Sequence, residues 1–116
     1  LGTNRDGDRA WIVNTLAGQG GTSGVSGAKE SLRKFVIDFD GGLMADLPAD
    51  AKMEPVVTLS HGKIQHIALS KIENTTKWRL VIDVDGGNER LVELVAHVAG
   101  FGRKLTETWI YQWMRT

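Results

Sequence analysis

The sequence of 116 residues contains no cysteine. That excludes a disulfide framework, a Cys-ligated zinc site and a thiol nucleophile. It leaves the compartment open, because many exported bacterial domains also lack cysteine. Charge of one sign is missing too, since 14 Lys+Arg offset 14 Asp+Glu. A neutral chain lacks the electrostatic footprint of a nucleic-acid binder or of a polybasic membrane binder. No apolar run is long enough to span a bilayer, and no basic stretch leads into the apolar core of a signal peptide. A chain that begins at Leu1 reads as a processed product or an excised piece, with any signal peptide outside this fragment. The length suits one domain with a single core, for which no staple is required.

What is present is a series of short apolar alternations separated by turn residues. Phe35, Ile37 and Phe39 alternate with Val36 and Asp38 before Asp40-Gly41-Gly42 ends the run. Pro48 and Pro55 bracket an irregular stretch, and Val56 to Ser60 is the next strand. His61-Gly62-Lys63 reads as a hairpin turn into Ile64 to Ser70, and Asn74-Thr75-Thr76 as another turn. Trp78, Leu80, Ile82 and Val84 then share one face, and Asp85-Gly86-Gly87-Asn88 carries the Asp-Gly signal of a hairpin. Val92, Leu94, Ala96 and Val98 give a further apolar face; a helix over Leu91 to Ala99 is the alternative, and the β-branched residues favour the strand. Gly100-Phe101-Gly102 turns the chain into the last strand, where Leu105, Trp109, Tyr111 and Trp113 share one face and Thr106, Thr108 and Gln112 the other.

With a short strand near residues 10–15, the pattern predicts an all-β sandwich of about seven strands. Residues 1–32 read as a Gly/Ser-rich lead-in that donates this strand, with Gly18 to Gly27 as a flexible linker, and residues 33–116 as the sandwich. Val36-Ile37-Asp38-Phe39-Asp40-Gly41-Gly42 is echoed by Val81-Ile82-Asp83-Val84-Asp85-Gly86-Gly87. Two such copies are too few and too short for a solenoid, and each reads as a strand running into a Gly-Gly turn.

Few residues offer chemistry. Asp38, Asp40, Asp83 and Asp85 have the residue type of a calcium site or a glycosidase pair. Each pair sits at a strand end beside a turn, where aspartate bonds nearby backbone amides, and that structural reading is preferred. Asn4, Asp6 and Asp8 begin like a calcium loop, but Arg9 and Thr15 stand where an EF-hand needs Gly and Glu. His61, His66 and His97 are not in close metal-ligand spacing. Gly18-Gln19-Gly20-Gly21 lacks the Lys-Ser/Thr of a phosphate-binding loop, and there is no G-x-S-x-G. No catalytic, cofactor-binding or metal residue is assigned, and no cofactor is expected.

The aromatics are the remaining candidates. Sugar-binding modules stack a sugar's C–H face on an exposed ring, and Trp109, Tyr111 and Trp113 are the candidate glucan or partner contacts. Core is the preferred reading for Trp78 and Trp109, while Trp113 lies near even. Trp11 is read as packing against something, a missing domain being one option.

Six segments occur in an informative order: Arg33-Lys34-Phe35-Val36-Ile37-Asp38-Phe39-Asp40-Gly41-Gly42, Leu47-Pro48-Ala49-Asp50-Ala51, Pro55-Val56-Val57, Trp78-Arg79-Leu80, Val92-Glu93-Leu94, and Leu105-Thr106-Glu107-Thr108-Trp109 through Tyr111-Gln112-Trp113. The set resembles the C-terminal domain of the periplasmic glucan biosynthesis proteins G and D, the osmoregulated periplasmic glucan family. Ala10 to Thr15 and Gly18 to Gly21 are similar to that family's lead from its large domain into its small one. The Gly/Ser stretch from Gly18 to Gly27 departs from the Arg- and Pro-rich connector expected there. The resemblance implies an immunoglobulin-like (E-set type) fold and periplasmic export in a Gram-negative bacterium. It also implies a non-catalytic accessory role in making or trimming β-1,2-linked glucans. The partners implied are the N-terminal glucan-active domain of the same chain and β-glucan itself, with no nucleic acid and no membrane span. Some members are β-1,2-glucanases whose catalytic acids lie in that large domain, so the parent protein could be an enzyme while this fragment is not. A carbohydrate-binding module using exposed aromatics, and a protein-interaction module docking on the catalytic domain or another envelope partner, are the alternatives.

Overall fold

The computed structural model describes residues 8–19 and 31–114. Asn4, Asp6 and the linker residues Gly20 to Gly27 lie outside the described residues. Among the described residues there are eight strands: β1 Trp11–Gln19, β2 Leu32–Asp40, β3 Glu54–Leu59, β4 Lys63–Lys71, β5 Trp78–Asp85, β6 Leu91–Gly100, β7 Arg103–Lys104 and β8 Trp109–Met114. One 3-10 helix, Leu43–Asp46, lies in the stretch before Pro48. All strand pairs are antiparallel, and they form two sheets. One has the order β1-β2-β5-β4; the other places β6 between β3 and the collinear pair β7 and β8.

The alternation in the sequence decides which side chains meet between the sheets. Phe35, Ile37 and Phe39 of β2 and Trp78, Leu80, Ile82 and Val84 of β5 are buried from one side. Val92, Leu94, Ala96 and Val98 of β6 and Trp109 and Trp113 of β8 are buried from the other. Leu91–Gly100 is a strand, and its burial alternates with the period of two that a helix would not give. Met44 of the 3-10 helix completes the core, and its carbonyl accepts the indole N–H of Trp78 at 2.8 Å. Lys71 holds the same turn by donating to the Leu47 carbonyl at 2.6 Å.

Two of the expected hairpins are crossovers between sheets. His61-Gly62-Lys63 carries the chain from β3, which pairs β6, to β4, which pairs β5. Asp85-Gly86-Gly87-Asn88 carries it from β5 to β6 in the other sheet. An Asp-Gly hairpin of the favoured type needs a left-handed backbone at two successive residues. Here only Gly87 has positive φ, at 62°, and the Gly86 amide donates to Ser31 instead of closing a two-residue loop. Among the described turns, those that close hairpins are β4–β5, turning at Asn74 with φ 63°, and β6–β7, turning at Phe101 and Gly102.

The terminal strand is also not continuous. Beyond the Leu105 amide, which still donates to Val98 at 2.8 Å, the chain leaves the ladder until Trp109, and Ala10 inserts there in a parallel bridge to Thr106. The Ala10 amide donates to Leu105 and the Glu107 amide to Ala10, both at 2.8 Å. Thr106 is therefore fully buried rather than on the solvent face, with its hydroxyl accepting from the Val98 amide at 3.0 Å. β1 reaches Gln19 and pairs β2 as far as Arg33.

Trp11 is half-buried and packs against Gly41 of the first Gly-Gly turn. A Cβ on Gly41 would sit 2.0 Å from the Trp11 ring. The second Gly-Gly turn does the same for Trp113: a Cβ on Gly86 would sit 2.7 Å from its ring. Gly86→Ala is expected to lower unfolding free energy by about 1–3 kcal/mol through overpacking. Urea denaturation followed by Trp fluorescence measures this, and an unchanged midpoint would contradict the seat described.

Candidate functional site

The aromatic strand β8 was the first candidate, and its inward rings form core. Trp109 and Trp113 are each 3% exposed, while Tyr111 is half-buried. Phe35 meets all three edge-on, with centroids 5.6, 5.0 and 6.1 Å away. Trp109 and Tyr111 stack on each other at 5.6 Å, and the Arg33 guanidinium lies 5.3 Å from the Trp113 ring. As packed here, neither indole offers a free face to a sugar. The opposite side of β8 presents Ile110, Gln112 and Met114. Ile110 is paired with Val95 and Met114 with Leu91, so an exposed strip on the outer face of this sheet carries two apolar pairs, separated by Gln112 donating to Glu93 at 3.3 Å.

The carboxylates hold backbone and sheet. Asp40 accepts from the Gly41 amide at 2.8 Å and from the Thr76 hydroxyl at 2.7 Å. Asp85 accepts from the Gly87 amide at 2.9 Å. Asp38 is different, because it lies mid-sheet and makes a two-point ion pair with Arg79, at 2.8 Å to Nε and 3.0 Å to Nη2. Asn14 approaches the same carboxylate at 3.5 Å. The Arg79 bond holds the Asp38 carboxyl below its ordinary range, although burial opposes it. Asp83 has one buried carboxylate oxygen without a hydrogen-bond partner and faces Lys34 and His66 across the sheet.

The histidines are dispersed. His61 bonds Ser60 and lies 3.7 Å from Glu89, and His66 is exposed. His97 is half-buried opposite Val56, and burial, with Lys104 and Arg9 nearby, pushes its imidazole pKa down. Among the described residues no group of three or more His, Asp or Glu is placed to hold a metal ion.

The exposed aromatic is Phe101, at 65%, on the tip of the β6–β7 hairpin. A groove of about 610 Å³ lies beside it, lined by residues 52–54 and 99–104. Sequence reading treated Gly100-Phe101-Gly102 only as a turn. The available signal was a bulky ring set between two glycines, where a tight hairpin usually carries Asn or Gly.

Comparison with known proteins places the chain among glucan proteins. The family model described as "Periplasmic glucan biosynthesis protein, MdoG" matches residues 2–113. Glucans biosynthesis protein G of Cereibacter sphaeroides is 51% identical over 108 residues, which cover 93% of this chain and 20% of that protein. Glucans biosynthesis protein D of Pseudomonas syringae pv. tomato is 33% identical over 111 residues, covering 90% of this chain and 21% of that protein. The D protein of Pseudomonas fluorescens SBW25 is 36% identical over 83 residues, covering 70% and 15%. The chain thus spans about a fifth or less of the length of these relatives.

Two pH windows follow from the shifted groups. The His97 imidazole is held below its ordinary value of 6.5, so the unfolded chain takes up the proton first and stability falls as pH drops below 6.5. Asp38, held below 3.8, contributes stability that is present above that value and lost as pH falls through its lowered folded pKa. Asp38→Asn should cost about 1–2 kcal/mol, at the lower end for charged hydrogen bonds, since the Arg79 side chain is 43% exposed. It should also flatten the acid limb below 3.8 and leave the His97 window intact. Stability curves at stepped pH check both.

Proposed function

The chain belongs to the family of periplasmic glucan biosynthesis proteins, and from that premise we propose that it is a non-catalytic accessory domain of a longer periplasmic protein. That protein makes or processes osmoregulated, β-1,2-linked glucans. The observation that carries this reading is the family match along residues 2–113, in a unit about a fifth of its relatives' length. The roles of the carboxylates support it. Asp38, Asp40 and Asp85 are engaged by Arg79, Gly41 and Gly87, and a glycosidase pair would need two acids facing one groove. The strand order supports an immunoglobulin-like assignment, since β1-β2-β5-β4 against β3-β6-β8 follows the ABED and CFG order of a constant-type sandwich. Residues 33–116 form the body of the domain in this reading, and the lead-in contributes its first strand. The parent's catalytic acids then belong to its N-terminal domain, and an export signal precedes that.

Docking on that N-terminal domain or another envelope partner is the second reading. The exposed apolar pairs Leu91–Met114 and Val95–Ile110, on either side of the Glu93–Gln112 pair, favour it, because exposed apolar residues grouped among polar ones are typical of an interaction surface.

Two measurements test the accessory role. The chain alone should release no reducing ends from β-1,2-glucan, and deleting it from the parent should reduce periplasmic glucan in a producing bacterium. Hydrolysis by the chain alone, lost on substituting one of its aspartates, would overturn the reading. Ile110→Glu combined with Met114→Glu should leave stability within about 0.5 kcal/mol. The pair should lower glucan yield from the parent if the strip is a docking face.

A further inference from the structure

We propose that the tip of the β6–β7 hairpin and the groove beside it form a glucan contact, with the Phe101 ring as the stacking surface. The inference rests on the glucan reading above and adds a site to it. Gly100 and Arg103 are paired, so the loop has two residues, and Phe101 and Gly102 have φ of 54° and 75°. Both lie in the left-handed region, which matches the twist of the flanking strands and suits Asn-Gly. A phenylalanine there is strained, on the order of 1–2 kcal/mol. It gains little by burial to offset that, being 65% exposed. Neither turn geometry nor core packing accounts for a ring at this position.

The surroundings suit a hydroxylated ligand. The groove volume, about 610 Å³, is within the range of small-molecule sites. Met53, Ala99 and Gly100 give it an apolar floor, and Lys52, Glu54 and Lys104 a polar rim. Gly100 is closely packed there: a Cβ would come within 3.1 Å of Leu105 and 3.2 Å of Met53. Arg103 pairs with Asp8 at 2.9 Å, and Lys104 bonds Thr108, so the hairpin is anchored at its base. A sugar ring can lay its C–H face on Phe101 while its hydroxyls reach the ammonium and carboxylate groups. An apolar knob for a protein pocket would instead be expected among apolar neighbours; four charged side chains, Lys52, Glu54, Arg103 and Lys104, line this groove.

The test is titration of the isotope-labelled 116-residue chain with short linear β-1,2-linked glucose oligomers. Saturable amide shifts at residues 52–54 and 99–104 are expected. Phe101→Gly removes the ring and relieves the left-handed strain, so its midpoint of unfolding should not fall below that of the parent sequence. Its affinity should drop at least about ten-fold, the effect of losing an aromatic anchor. Phe101→Tyr should retain binding. Shifts confined to another surface, or an unchanged affinity in Phe101→Gly, would overturn the site. Absence of shifts at millimolar sugar, with the parent still needing this domain for glucan yield, would overturn the site and leave the accessory role standing. Absence of both would remove the two together.

Discussion

Contact between Phe35 and the three inward rings of β8 holds the sandwich together. Phe35 sits in the middle of β2, whose neighbours on both sides belong to the same sheet, and the rings it meets come from the opposite sheet. Edge-on aromatic contacts of this kind add to ordinary burial because the positive ring edge meets the negative ring face. Apart from Phe39 and Trp78, the remainder of the interior is aliphatic or Met44, and such side chains are adaptable in how they interlock. The relative placement of the sheets is thus set by rings that can meet in few ways. The indoles of this aromatic strand are accordingly buried, since its inward rings join the layers.

The repeated Gly-Gly turns have a common purpose that the repetition itself did not reveal. β2 and β5 are antiparallel neighbours, so the turns that follow them lie at opposite ends of the sheet. At each end an indole fills the space where a side chain would be, Trp11 against Gly41 and Trp113 against Gly86. Gly42 serves a second close approach, to the backbone of residues 8–10, and its φ of 62° admits few other residues. The likeness of the two segments reflects two equivalent corners of one architecture.

The strands were legible because a two-sheet core imposes a period of two on every strand that lines it. Trp78 to Val84 and Val92 to Val98 are the clearest instances, and both are buried as the alternation requires. Partners were less legible. A Gly-rich turn marks where a strand stops, but whether the next strand joins the same sheet depends on contacts distant in sequence, such as Gly86 with Ser31 and Trp113. The break between Leu105 and Trp109 was hidden for the same reason, since the residue that occupies it is Ala10. On the functional side, the sequence marked the aromatic strand for its ring content, which tracks core as readily as binding. It passed over Phe101, whose importance comes from backbone conformation and exposure that composition does not report.

The bonds between Ala10 and the Leu105–Glu107 segment have a kinetic consequence. Together with the contact between Ile12 and Glu107, 95 residues apart, they join the beginning of the described chain to its end. Such pairings have high contact order and incur loop-closure entropy before they return stability. A chain made or exported from its N-terminus presents β1 long before β8 exists. In that interval β1, which has no charged side chain among its nine residues, pairs among the described residues with β2 alone. The vulnerable period in the life of this domain is therefore its emergence, and the last strand to appear ends it.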